Sequence, residues 1–364
     1  MSVPPPVARP ASPQPLQFVR PDGSVTEDGA RHGIDVELAR TCYRDMVLAR
    51  RLDHEALALQ RQGELSLWLM AWGQEAAQVG SAQALRQTDM VFPSYREHAV
   101  ALHRGVRPSE LLAQWRGCTH GGWDVAERRF HLYSLVLGTQ TLHATGYAAG
   151  ARLAGSDELV VAYFGDGASS QGDVNEALNW SAAASLPLLF LCQNNQWAIS
   201  TPAALQMRTS VHQRAAGFGI ASFVVDGNDV LAVHAVTAAA AELVRAGKGP
   251  ALVEAVTYRR AGHSSSDDPT RYRSDDEVAD WTARDPIDRV DRILRASGVP
   301  ADFFDDVQAE AEQLALRVRE ECRAIPDPDL DDVFASTYAA SRLDVERELA
   351  ERHRMLRSLE EVPA

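Results

Sequence analysis

Cysteine is scarce in this sequence: four residues, Cys42, Cys118, Cys192 and Cys322, in a chain of 364. Their wide spacing offers neither a metal-ligand pattern nor a disulfide framework. The expectation is four reduced thiols in a cytoplasmic protein. Positive charge is also in deficit. Asp and Glu number 50 against 36 Lys and Arg, a net charge of -14. A nucleic-acid binder shows a basic face, and this balance argues against one, as it does against long-range attraction to acidic membranes. No apolar run approaches the roughly 20 residues of a membrane span. The first fifteen residues, MSVPPPVARPASPQP, hold no apolar signal core. Their proline content instead points to a disordered tail, taken as residues 1–30. No internal repeat is present.

What is there is material for a core, since 45% of residues are hydrophobic. Residues 35–61 carry apolar side chains at helical spacing, among them Val36, Ala39, Cys42, Met46 and Val47. A second helix is expected over about 74–85. The middle of the chain then alternates: short apolar runs at 159–164 (LVVAYF), 188–192 (LLFLC), 221–225 and 251–258, with an Ala-rich helix over 230–245 before the last. Short, fully apolar strands between helices mark a parallel sheet covered by helices on both faces, an α/β fold. This domain is read as residues 31–300. From 301 to 364 the chain turns charged and helical, over 302–323 and 330–359, and reads as a C-terminal helical extension suited to packing on a partner.

In an open parallel sheet, ligands bind beyond the carboxyl ends of the strands. Gly165-Asp166-Gly167-Ala168 directly follows LVVAYF, and Asn194-Asn195 follows the next run. The interval between them is that of a strand-helix-strand unit, which would set the two turns side by side. Asp166 brings a hard anionic oxygen and Asn195 a neutral amide oxygen. Mg²⁺ takes such ligands and shares its shell with substrate phosphates, while glycines and a helix start let backbone N–H groups reach phosphate oxygens. Either turn alone is ordinary turn chemistry; the pair, each ending an apolar strand, points to a Mg-diphosphate cradle. A nicotinamide-binding reductase needs a Gly-rich turn leading from a strand into a helix. The one candidate, Gly217-Phe218-Gly219, precedes a strand, which disfavours that class.

The paired turns resemble the thiamine diphosphate signature. The segment FGDGASSQGDVNEALNWSAA…LFLCQNNQWAIST, with FPSYREH at 92–98, GTQTLHATGYA at 138–148 and YRRAGHSSSDDPTRYR at 258–273, resembles the alpha subunits of 2-oxo acid dehydrogenases over about residues 35–345. The FPSYRE block and Asp267-Asp268 resemble the branched-chain type, with pyruvate or acetoin dehydrogenase alpha chains as the nearest alternative. The resemblance implies the thiamine-diphosphate-binding fold, thiamine diphosphate with Mg²⁺, and ligation of the metal by Asp166, the side chain of Asn195 and the main-chain carbonyl of Trp197. It also implies diphosphate contacts from Tyr95 and Arg96, backbone contacts from Gly165, Gly167 and Ala168, and aminopyrimidine contacts from the backbone of Leu135 and Leu137. His263 would lie near the diphosphate and the reacting carbon as the catalytic acid-base group. His143 is expected to pack, and the bulky stretch 65–72 (LSLWLMAW) would suit a branched substrate or the core. The glutamate that activates the aminopyrimidine has no home in this chain. The resemblance supplies it from a beta subunit, in an assembly of two alpha and two beta chains that serves a lipoyl-bearing dihydrolipoyl acyltransferase.

Overall fold

A computed structural model describes residues 14–119, 121–328, 339–340 and 342–360. Five strands form one parallel sheet: β1 (Met90–Phe92), β2 (Val160–Gly165), β3 (Leu188–Asn194), β6 (Ala221–Asp226) and β7 (Ala251–Val256), in the spatial order β1-β2-β3-β7-β6. Two-residue strands β4 (Trp197–Ala198) and β5 (Thr201–Pro202) make a small hairpin just past β3. The expected α/β class holds. β1 escaped the sequence reading because three residues are too few to show a period.

Both faces of the sheet are buried, and alternate residues of each strand serve different cores. Val161, Tyr163, Leu189, Leu191 and Val253 face one cluster, covered by the helices Val36–Arg61, Glu75–Gln83 and Val230–Arg245. Val160, Ala162, Phe164, Leu188, Phe190 and Leu252 face the other, under the helices Thr139–Ala154, Gly172–Ala183 and Val211–Gly217. Every residue of β3 is buried, which explains its unbroken apolar run. The helix Val36–Arg61 starts where Asp35 accepts from the backbone N–H of Glu37 and Leu38. Asp229 does the same for Ala232 at the start of Val230–Arg245.

Two readings of the chain ends are corrected. Residues 14–30 are not a loose tail. Leu16 pairs with the edge of β6, donating to Val224 O (3.1 Å) and accepting from Asp226 N (3.0 Å). The backbone N–H groups of Phe18 and Val19 both donate to Asp229 Oδ2 (2.7 Å each), and both side chains are buried. The apolar residues Leu16, Phe18 and Val19 outweigh the prolines before them; residues 1–13 lie outside the described residues. Residue 300 is likewise not a packing boundary. The helix Ala301–Ala324 lies along Val36–Arg61, with Phe304, Val318 and Cys322 in the same core cluster as the sheet. Its Glu310 pairs with Arg44, and its Arg319 with Glu55 (2.7 Å). Charge along this helix covers one face only, and the other is filled from within the chain. Of the later helical stretch, Leu343–Glu360 is helical, and 330–338 lie outside the described residues.

Candidate active site

The carboxyl ends of three adjacent strands meet in one cleft. β2 ends in Gly165-Asp166-Gly167, β3 in Asn194-Asn195, and β7 leads into Tyr258, Arg259 and the loop to His263. Tyr95, Arg96, Leu137, Gly165, Asp166, Gly167, Ala168, Asn195, Trp197 and His263 all line it. Ten of the residues singled out in the sequence are thus brought together. Leu135 is not among the lining residues; its side chain is 56% exposed. His143 stays outside as well, exposed on its helix, where its ring packs 6.3 Å from that of His131.

Asp166 is fully buried. Its Oδ1 accepts from the backbone N–H of Asn195 (3.1 Å), while Oδ2 has no hydrogen-bond partner among the described residues. Burial pushes its carboxyl up to about 7. A buried carboxylate oxygen with no partner is costly, and a hard cation would satisfy it. Asn195 is held by Gln74, which accepts from Nδ2 (2.9 Å), so Oδ1 is the atom left toward Trp197 N (3.2 Å). Gly167 packs so closely on the hairpin that a Cβ there would stand 3.1 Å from Ala198 Cβ.

Opposite charge comes from two buried guanidiniums. Arg96 donates to Met70 O and to His263 O (2.9 Å). Arg259, 1% exposed, donates to Ile199 O (2.7 Å) and Tyr272 Oη (2.9 Å) and lies 3.5 Å from Trp197 O, while its Nε has no partner. Neither arginine makes an ion pair among the described residues. Burial and then the charge of Arg96 bring Arg259 down to about 10. His263 is brought down to about 4 by burial and by the same two arginines, so its imidazole is neutral at pH 7. Its backbone N–H donates to Asp267 Oδ2 (2.6 Å), and its ring meets Tyr95 edge-on. Two buried cations that make no ion pair among the described residues, beside a carboxylate oxygen without a donor, fit a group that is anionic at one end and carries a divalent metal.

The family model described as "Dehydrogenase E1 component" matches residues 43–328. The chain belongs to that family. The E1-component chain is 46% identical, over 329 residues and 90% of both sequences, to the 3-methyl-2-oxobutanoate dehydrogenase subunit alpha of Mycobacterium tuberculosis (strain ATCC 25618 / H37Rv). It is 38% identical over 314 residues to the mitochondrial 2-oxoisovalerate dehydrogenase subunit alpha of Bos taurus, covering 81% of this chain and 68% of that one. The corresponding values for the protein of the same name from Homo sapiens are 36% over 312 residues, with 81% and 69% covered. The branched-chain character read from the FPSYRE block agrees with these names.

Several cleft residues of this E1-component chain had no place in the site read from sequence. Gln74, Ser94, Glu97, Gln193, Ala198 and Ile199 line it too. Arg259 lines it as well, beyond the end of the third strand as Asp166 and Asn195 are beyond the first two. Gln193 donates to Glu97 (2.6 Å), a pairing across 96 residues that no local pattern announces. Of the two readings open for the stretch 65–72, the buried side chains take the core one. Trp68, Leu69 and Met70 are buried in the core and line no part of the cleft; only the carbonyl of Met70 reaches the site, as an acceptor for Arg96. No helix among the described residues is long and apolar enough to cross a membrane.

Proposed function

We propose that this chain is the alpha subunit of the decarboxylating component of a branched-chain 2-oxo acid dehydrogenase complex. It acts on 3-methyl-2-oxobutanoate and related acids in the cytoplasm. The observation that carries the reading is the cleft itself: Asp166 Oδ2, which has no hydrogen-bond partner, together with two buried arginines that make no ion pair among the described residues. In this reading Asp166, the Asn195 side chain and the Trp197 carbonyl hold Mg²⁺. Tyr95, Arg96 and Arg259 take the diphosphate oxygens, with backbone support from Gly165, Gly167 and Ala168. Leu137, with the backbone of Leu135, meets the aminopyrimidine.

Thiamine diphosphate, when bound, supplies the carbanion that takes up the 2-oxo carbon and the sink for the electrons left by CO₂. The chain's own residues set the conditions. The cleft removes water from the charges, so the arginines act at full strength on an anion. His263 is neutral at pH 7 and turns Nδ1 toward Arg259 (3.5 Å). Its proton therefore sits on Nε2, a donor for a substrate carboxylate or carbonyl oxygen. A bound dianion would raise its affinity for a second proton, making it the group that hands a proton on.

The site is half of a catalytic centre. The activating glutamate comes from a beta subunit, in an assembly of two alpha and two beta chains, and the acyl group passes to the lipoyl group of a dihydrolipoyl acyltransferase. The reading is tested with this chain assembled with its beta subunit. The expected result is a kcat/KM for 3-methyl-2-oxobutanoate at least about tenfold above that for pyruvate, a discrimination of about 1.4 kcal/mol and within the range of a few methylenes. Preference for pyruvate or acetoin would overturn the substrate assignment.

A further inference from the structure

The turn that carries Asn195 is held from behind by a buried polar chain running from the neighbouring strand. Glu254, in the middle of β7 and 1% exposed, accepts three hydrogen bonds. Its Oε1 accepts from Asn194 Nδ2 (2.7 Å), and its Oε2 from the backbone N–H (2.8 Å) and Nδ1 (3.0 Å) of His212. Asn194 and His212 are themselves buried. The other end of the Asn194 amide, Oδ1, accepts from the backbone N–H of Gln196 (3.3 Å) and from its Nε2 (3.1 Å). Gln196 has φ of 72°, a left-handed conformation that a residue with a side chain rarely adopts without such support. That conformation turns the backbone between Asn195 and Trp197, which supply two of the three metal ligands in the reading above.

The chemistry of this chain leaves no freedom. A carboxylate only accepts, so Asn194 must present its NH₂ to Glu254 and its oxygen to Gln196. Each Glu254 oxygen meets at least one obligatory donor, the Asn194 amide on one side and the His212 backbone N–H on the other. We propose that Glu254 and Asn194 are positioning residues which set the Asn195–Trp197 turn in its metal-ligating shape, acting through the Asn194 amide with His212 as anchor. The inference rests on the reading of Asp166, Asn195 and Trp197 as the metal site.

The isosteric change Glu254→Gln must then create one donor-donor clash whichever way the new amide is turned. If Asn194 flips to relieve it, the clash moves to Gln196 and releases the turn. Groups behind metal ligands typically change metal affinity by about 10–100-fold. A second change restores the match. With Asn194→Asp added to Glu254→Gln, the new amide donates to the new carboxylate and accepts from His212 N, and the second oxygen at position 194 accepts both Gln196 donors. Net charge then equals that of the natural chain.

The experiment uses the assembled alpha-beta enzyme and calorimetric titration of Mg²⁺ in the presence of thiamine diphosphate, with thermal unfolding as a check on fold. Expected is a loss of about tenfold or more in Mg²⁺ affinity for Glu254→Gln, and a return to within about threefold for the double variant. If Glu254→Gln yields no folded protein, Asn194→Ala carries the same expected loss, since it removes the clasp and leaves Glu254 both His212 donors. Unchanged affinity in the single variant, or a double variant no better than the single, overturns the positioning role. Asp166→Ala run in parallel separates the two levels. Loss there with no loss in Glu254→Gln refutes this inference alone, whereas no loss in Asp166→Ala refutes the metal reading and this inference with it.

Discussion

Replacing Arg259 by Met separates stability from binding, because the residue serves them in opposite directions. Its guanidinium, brought down to about 10 from an ordinary 12.5, is kept charged in the folded, cofactor-free protein at a cost of about 3 kcal/mol. Met fills similar volume and removes that cost. It also removes the bonds to Ile199 O and Tyr272 Oη, each worth about 1.5–3 kcal/mol for a charged donor. The two effects largely offset, so the cofactor-free enzyme should lose no more than about 3 kcal/mol of stability. Binding has no such offset. A forked contact to phosphate oxygens loses two charge-assisted bonds, about 3–6 kcal/mol together, or about a hundredfold to ten-thousandfold in affinity. The assay is thermal unfolding of the alpha-beta enzyme with and without Mg²⁺ and thiamine diphosphate, backed by calorimetry. At a hundredfold excess over the natural enzyme's Kd, the cofactor stabilises by about 2.7 kcal/mol; in the variant this should fall below about 0.4 kcal/mol. Arg259→Lys should recover little, because a point charge cannot replace the fork. Affinity within threefold of the natural enzyme would refute the role given to this arginine.

Asp166→Ala should abolish Mg²⁺-dependent thiamine diphosphate binding while the circular dichroism spectrum and unfolding temperature stay near those of the natural chain; unchanged calorimetric affinity would sink the metal assignment. The purified chain alone should show no 2-oxo acid decarboxylation, and adding the beta subunit should restore it; robust turnover by the isolated chain would show that the activating carboxylate lies within it. His98, stacked on Trp68 and brought down to about 3 by burial, stays neutral in the fold while the unfolded imidazole protonates near about 6.5. The unfolded chain therefore binds the extra proton between those values, and this contribution to stability is present above about 6.5 and lost as the pH falls toward 3, about 2 kcal/mol of it by pH 5. His98→Gln should shrink the fall in unfolding free energy between pH 7 and pH 5 by that amount, and an equal fall in both proteins would contradict it.

The sheet and the two polar turns that Asp166 and Asn195 bring to the cleft were legible because each is written locally. β2 and β3 are continuous apolar runs, and each is followed at once by a polar turn that lines the cleft. Tyr95 and Arg96 were legible only through resemblance, since they follow a three-residue strand and the buried Arg96 is held by Met70 and His263, 26 and 167 positions away. The chain ends misled for a related reason. Prolines at the start and charges at the end describe composition, whereas what orders them is contact: Asp229 for Phe18 and Val19, and the helix Val36–Arg61 for Ala301–Ala324. Trp68 and its neighbours were open to two readings, since bulk that would suit a ligand equally suits a core, and they fill the core.

The clasp between the helices Val36–Arg61 and Ala301–Ala324 has a consequence for synthesis. The buried stripe of the first helix, including Cys42, Met46 and Leu52, leaves the ribosome long before its cover exists. Arg44 must wait for Glu310, 266 residues later. At about 5–20 residues per second this is roughly 13–53 s, against the milliseconds to seconds in which small domains fold. Throughout that interval the nascent chain carries an uncovered apolar helix, together with a sheet whose β6 and β7 are still to come. Completion is therefore gated by translation rather than by the intrinsic speed of folding, and the first helix is the segment that a holding chaperone would meet.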